Sequence, residues 1–96
     1  MLNNEDVTDT EKLIILLEKV ISFQIDAGYT EPFYKSLIRS INILKSKDAQ
    51  GFHNIMKYIN DDFRMMADRG LYGGEIDVVT NEIYSILRRN KLFYNK

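Results

Sequence analysis

The chain has 96 residues, no cysteine, one histidine and a formal net charge of −1. That length makes one domain, and 45% hydrophobic with 28% charged residues is a globular composition, not a disordered one. Without cysteine there are no disulfides, thiolate metal sites or cysteine nucleophiles, and the lack of a basic excess disfavours a nucleic-acid-binding protein.

The opening segment, Met1-Leu2-Asn3-Asn4-Glu5-Asp6, is acidic where a secretory signal is basic and then apolar. The longest wholly apolar run, Leu13 to Leu17, is five residues, against roughly 20 for a membrane span. A soluble, cytoplasmic protein with no membrane partner is expected.

Residues 1–7 are polar and are expected to fray. Thr8-Asp9-Thr10-Glu11 then reads as a capping box, in which the threonine and glutamate side chains satisfy each other's backbone amides. The first helix follows, near residues 8–27. Leu13, Leu16, Leu17, Val20 and Gln24 share one face, and Ile14, Ile21 and Ile25 widen it. A helix apolar over more than half its circumference is expected to be the most buried. Gly28 is a natural residue to stop it.

The second helix is predicted near 30–46, with Thr30 as its cap and Glu31 and Pro32 in the first turn. A carboxylate there meets the helix dipole, and proline has no amide to leave unsatisfied. Tyr29 and Tyr34 occupy the two positions of a hydrophobic staple around the cap. Phe33, Leu37, Ile41 and Leu44 form its apolar stripe, with Ile38 beside it, and Lys35 and Arg39 make an exposed basic pair. Lys45 and Lys47 suit its negative end.

The third helix is predicted near 48–69, capped by Asp48. Its stripe is Phe52, Ile55, Met56, Ile59, Phe63 and Met66, a helical spacing and not a strand's. Gly70-Leu71-Tyr72-Gly73-Gly74-Glu75 is the glycine-rich connection. The fourth helix, near 75–90, carries Ile76, Val79, Ile83, Ile86 and Leu87 and ends on Arg88 and Arg89. Beyond it the tail either continues the helix or folds back through Leu92 and Phe93. Short connections make sequential helices antiparallel neighbours, so the whole chain, 1–96, is predicted to be one all-α domain, a four-helix up-down antiparallel bundle.

Little in this pattern can do chemistry. His53 lies off the stripe and has no second histidine or cysteine with which to hold a metal. Asp61, Asp62, Asp68, Glu75 and Asp77 make an acidic group around the end of the third helix. Asp61 and Asp62 are adjacent, so their side chains diverge by about 100° and do not converge on one proton. Their spacing also lacks the alternation of an EF-hand loop. The group reads as a solvated helix face or part of a binding surface. The glycine cluster lacks the Gly-Lys-Ser/Thr ending of a phosphate-binding loop. It is a flexible connection or a partner-contact loop with Tyr72 at its tip. The six tyrosines, Tyr29, Tyr34, Tyr58, Tyr72, Tyr84 and Tyr94, flank the stripes as boundary or interface residues. Arg88, Arg89, Lys91 and Lys96 with Phe93 and Tyr94 form a basic-aromatic tail, read as dipole complement and docking segment or as a single-strand contact. No catalytic residue, cofactor site or metal site is predicted, and an enzyme is the least favoured class.

The leucine-rich first helix from Leu13 to Ile25, the Pro32-Phe33-Tyr34 opening of the second, and Lys47-Asp48-Ala49-Gln50-Gly51 leading into the third carry a resemblance, together with the Tyr72-Gly73-Gly74 turn. In this layout the chain resembles the small helical immunity proteins of bacterial toxin–immunity systems, including those of contact-dependent growth inhibition. The resemblance implies a cytoplasmic antitoxin that binds one cognate protein toxin and blocks it without chemistry of its own. Proteins of this kind that occlude nuclease sites are often markedly acidic, and a net charge of −1 departs from that. The expected partner-binding residues are Asp61, Asp62, Asp68, Tyr72, Glu75 and Asp77. The acids would steer basic toxin residues, and Tyr72 would anchor. Two other readings stay open. One is a small regulatory nucleic-acid-binding protein using Lys35, Arg39, Arg88, Arg89 and Lys91. The other is a homo-oligomer that packs the surplus apolar face of the first helix on a copy of itself.

Overall fold

The computed structural model describes residues 3–46 and 49–93. Four helices make up the architecture: α1 (Asn4–Asp26), α2 (Glu31–Ser46), α3 (Ile55–Asp68) and α4 (Glu75–Arg89), with a short 3-10 helix, Ala49–Asn54, leading into α3. The fold is an all-α four-helix bundle, 39 × 23 × 23 Å. α1 packs against α2 and α4, and α2 also packs against α3. Side-chain bonds give the helix directions. Gln24 near the end of α1 meets Arg69 just past the end of α3, and that guanidinium lies over Tyr29 and Phe33 at the start of α2. Arg89 at the end of α4 reaches Asp9 near the start of α1. Sequential helices therefore run antiparallel.

The apolar stripes meet in one core. Leu13, Leu16, Leu17 and Val20 of α1, Leu37, Ile41 and Leu44 of α2, Ile55, Ile59 and Met66 of α3, and Ile76, Ile83, Ile86 and Leu87 of α4 are all buried. At roughly 1.5–3 kcal/mol for each large side chain removed from water, this burial is the main favourable term. α1 and α3 end alike. Gly28 and Gly70 take positive φ (96° and 79°), and each lets the next amide reach back. Tyr29 N–H donates to the Gln24 carbonyl and Leu71 N–H to the Met66 carbonyl. This is the Schellman closure that satisfies the last carbonyls of a helix.

Several expectations are corrected. The first helix begins at Asn4, not at Thr8, and its capping box is Asn3 with Asp6. Thr8 and Glu11 lie inside it. The early turns are held because Asp6 and Asp9 dock on Asn90 and Arg89 of the α4 end. α1 is also less enclosed than its composition suggests, with Ile15 55% and Ile25 51% exposed. Two neighbouring helices cannot cover so wide an apolar arc. On α2 Phe33 is 42% exposed, and Ser40 takes a buried place instead. Tyr34 has non-helical angles (φ −123°, ψ 21°), which bends the first turn and lets Phe33 swing out to meet Tyr29 edge-on. The third helix starts at Ile55. Before it, the tighter 3-10 winding eclipses positions three apart, which suits Phe52 and Ile55, both buried. Asp48, the expected cap, Lys47, and Tyr94 to Lys96 lie outside the described residues. The tail folds back after Asn90. Phe93 is fully buried and stacks on Phe52 with ring centroids 5.4 Å apart.

Candidate partner-binding surface

The six expected partner-binding residues separate into three groups. Asp68, Tyr72, Glu75 and Asp77 come together at the α3–α4 connection, all exposed. Asp61 stands two turns back along α3 from Asp68, half-exposed and paired with Arg64 at 3.1 Å. Asp62 does not belong to the surface at all, since its relative exposure is zero.

The connection holds Tyr72 out in a defined way. On one side the Schellman closure at Gly70 and Leu71 ends α3. On the other, Gly73 and Gly74 take φ of 99° and 63°, angles that side-chain-bearing residues avoid. The Asp77 carboxylate folds back to accept the Gly73 N–H at 2.9 Å. Asp77 is thus a cap of the turn as well as a surface charge. Between these fixed points Tyr72 is 68% exposed, more than any other large hydrophobic residue among the described ones. Asp68 and Glu75 flank it, and among the described residues neither forms an ion pair.

Asp62 belongs to a buried polar chain that spacing alone did not reveal as a unit. Gln24 Nε2 donates to Asp62 Oδ2 at 2.9 Å, and Arg69 Nη2 donates to Gln24 Oε1 at 2.9 Å. The Arg69 guanidinium sits 4.4 Å from the Tyr29 ring centroid and 5.1 Å from that of Phe33. Asp62 Oδ1 and Arg69 Nε have no hydrogen-bond partner among the described residues. Burial raises the Asp62 carboxyl to about 6, against the lesser lowering effects of the Gln24 bond and the Arg69 charge. An acid titrating near neutrality would suit proton transfer. Asp62 is sealed in the core, however, and lines none of the three surface grooves described below.

A second polar cluster, also unforeseen, clamps the other end of the bundle. Arg89 Nη2 donates to Asp9 Oδ1 at 2.7 Å, and Asn90 Nδ2 donates to Asp9 Oδ2 and Asp6 Oδ1, both at 3.0 Å. Arg89, expected as a dipole complement, a docking-tail residue or a nucleic-acid contact, is thus tied to α1. The signal in the sequence was Asp9 itself, an acid one helical turn before Leu13.

The grooves complete the surface. One, of about 580 Å³, runs between α1 and the start of α4 and includes Ile15, Phe23, Ile76 and Val79 with Glu18, Asp26 and Glu75. A second, about 100 Å³, lies under Tyr72 between Phe63, Met66 and Tyr84. A third, about 440 Å³, crosses the outside of α2 past Lys35, Ile38 and Arg39. The α1 groove lies on the side of that helix opposite the apolar stripe that spacing predicts. Its signal was Ile15 and Phe23, which fall off the core stripe. His53 is exposed on the 3-10 helix. Among the described residues no group of three or more His, Asp or Glu is placed to hold a metal ion, and no helix is long and apolar enough to cross a membrane. No family model matches the chain, and no curated protein or solved structure is similar enough to count as a match.

Proposed function

We propose that the chain is a non-enzymatic protein-binding module, most concretely a cytoplasmic immunity protein that neutralises a cognate bacterial toxin by capping it. The observation that carries this reading is the Tyr72 turn. An aromatic residue 68% exposed is held between two glycine-closed backbone segments, with Asp68 and Glu75 on either side and without an ion pair among the described residues. A large amphipathic side chain on a fixed backbone gives up little conformational freedom on binding, and tyrosine is a recurrent anchor of interfaces. The flanking acids would favour a basic partner surface and speed its approach. The nucleic-acid alternative loses support because three of its five cations are engaged elsewhere, leaving Lys35 and Lys91. Arg89 is held by Asp9, and Arg39 and Arg88 lie over the Tyr58 and Tyr84 rings.

Co-expression with the product of the reading frame immediately upstream tests the proposal. The two proteins are expected to elute as one complex, and this chain is expected to rescue growth that the upstream product inhibits. Tyr72→Ala combined with Asp68→Lys should lower rescue at least tenfold with the melting temperature unchanged. Undiminished rescue would reject this face. Absence of both complex and growth inhibition would reject the immunity reading.

A further inference from the structure

The α1–α4 groove narrows the chemistry of a partner. Its floor is apolar: Ile15 is 55% exposed, Phe23 and Val79 are half-buried, and Ile76 closes the bottom. Its rim is acidic, with Glu18, Asp26 and Glu75 against Lys19, the one cation lining it among the described residues. α1 as a whole carries six acids and two bases. Asp26 stands in the last turn of α1, where no basic residue is present. Carboxylates are disfavoured at that end because the helix dipole is negative there. A partner cation would relieve both charges at once. Glu18 does have a neighbour, Lys45, but at 3.9 Å with both side chains more than half exposed, and such pairs are weak.

The groove walls also select the partner's conformation. Both are α-helices whose backbone groups bond internally, so an extended strand laid between them would find no ladder for its own amides. A helix brings its hydrogen bonds with it. The lining of α1 recurs at positions 15, 18, 19, 22, 23 and 26, a straight track about 16 Å long, which three turns of a partner helix would cover.

We propose that this groove seats a cationic amphipathic helix of a protein partner, with aliphatic side chains on Ile15, Phe23 and Val79 and lysine or arginine toward Glu18, Asp26 and Glu75. The proposal rests on the protein-binding reading above; it shares Glu75 with the Tyr72 turn but does not use the Tyr72 ring or Asp68.

The test uses two fluorescein-labelled 14-residue peptides and the full chain. Both peptides carry leucine at alternating three- and four-residue steps; one has lysine at the remaining positions, the other glutamate. The lysine peptide is expected to bind at least tenfold more tightly, to weaken as salt rises, and to shift backbone amide resonances of residues 15–26 and 75–79. Asp26→Lys and Ile15→Lys should each lower its affinity about tenfold. Both positions are exposed, so the circular dichroism spectrum should not change, and Asp26→Lys decides the matter if Ile15→Lys misfolds. Tyr72→Ala should leave peptide affinity unchanged. Equal affinity for the two peptides, shifts elsewhere, or indifference to Asp26→Lys would overturn the proposal. So would a concentration-dependent dimer that Ile15→Lys abolishes, since the groove would then belong to a second copy. If the peptide fails while Tyr72→Ala with Asp68→Lys still destroys rescue, the groove assignment falls and the immunity reading stands.

Discussion

Asp62 and Asp9 both lie out of solvent, and their surroundings treat them differently. Asp9 receives a guanidinium on one oxygen and an amide on the other. Asp62 receives one amide and leaves its second oxygen unsatisfied. Burial therefore favours the protonated Asp62, whose carboxyl rises from the ordinary 3.8 to about 6. Between those values the folded chain binds this proton more strongly than the unfolded chain does. Its contribution to stability is then fully present below about pH 4 and is lost as pH rises through about 6. Other carboxylates have their own pH dependence, so the difference between wild type and Asp62→Asn isolates this one. On going from pH 4 to pH 7, wild type should lose on the order of 2 kcal/mol relative to Asp62→Asn in urea unfolding. A pH-independent difference would show that Asp62 does not titrate in this range. Residue-level legibility turned on the same position. Asp62 lies three residues after Ile59 and four before Met66, so helical spacing already put it on the buried stripe; its chemical type argued for the surface. Gln24, read by spacing, was placed correctly. Spacing was the better guide because the two polar groups bury each other.

Elements were legible where apolar periodicity was long and illegible where local caps competed. Asn3-x-x-Asp6 and Thr8-x-x-Glu11 both fit a capping box, and nothing local separates them. The choice is made at the far end of the chain, by Asn90 and Arg89. The 3-10 segment was hidden for a related reason, since Phe52 and Ile55 face inward under either winding. Residue Gly51 marks that segment, because a Cβ there would stand 3.1 Å from the Ile43 side chain. The returning tail follows from Phe93, an aromatic with zero exposure beyond the last helix. Phe93→Ala should cost about 3–5 kcal/mol, as large a loss as in the centre of a helix. A cost under about 1 kcal/mol in chemical denaturation would mean the tail is an ornament on the bundle.

At the scale of the whole molecule, the net charge of −1 conceals a separation. α1 holds six acids and two bases, whereas α2 holds one acid and three bases. The bulk figure, which sets the chain apart from markedly acidic nuclease-occluding proteins, averages these away, which is why the α1–α4 groove could not be read from composition. Of the residues expected at a partner surface, Asp68, Tyr72, Glu75 and Asp77 are exposed about one turn, whereas Asp62 is buried. Whether an acid faces water or the core depends on neighbours that arrive from distant parts of the chain.

The clamp joining α1 to α4 has a kinetic consequence. Asp9 and Arg89 are 80 positions apart, and Asp6 and Asn90 are 84 apart. Tying them closes a loop of nearly the entire polypeptide, whereas α2 and α3 are separated only by residues 47–54. Loop-closure entropy and topology place the long tie late on the route to the native state. Asp9→Ala, expected to cost about 1–3 kcal/mol at equilibrium, should therefore quicken escape from the native basin in stopped-flow measurements and leave the refolding limb of the chevron almost unmoved. A refolding limb slowed in proportion would mean that the two most distant helices are the ones that nucleate.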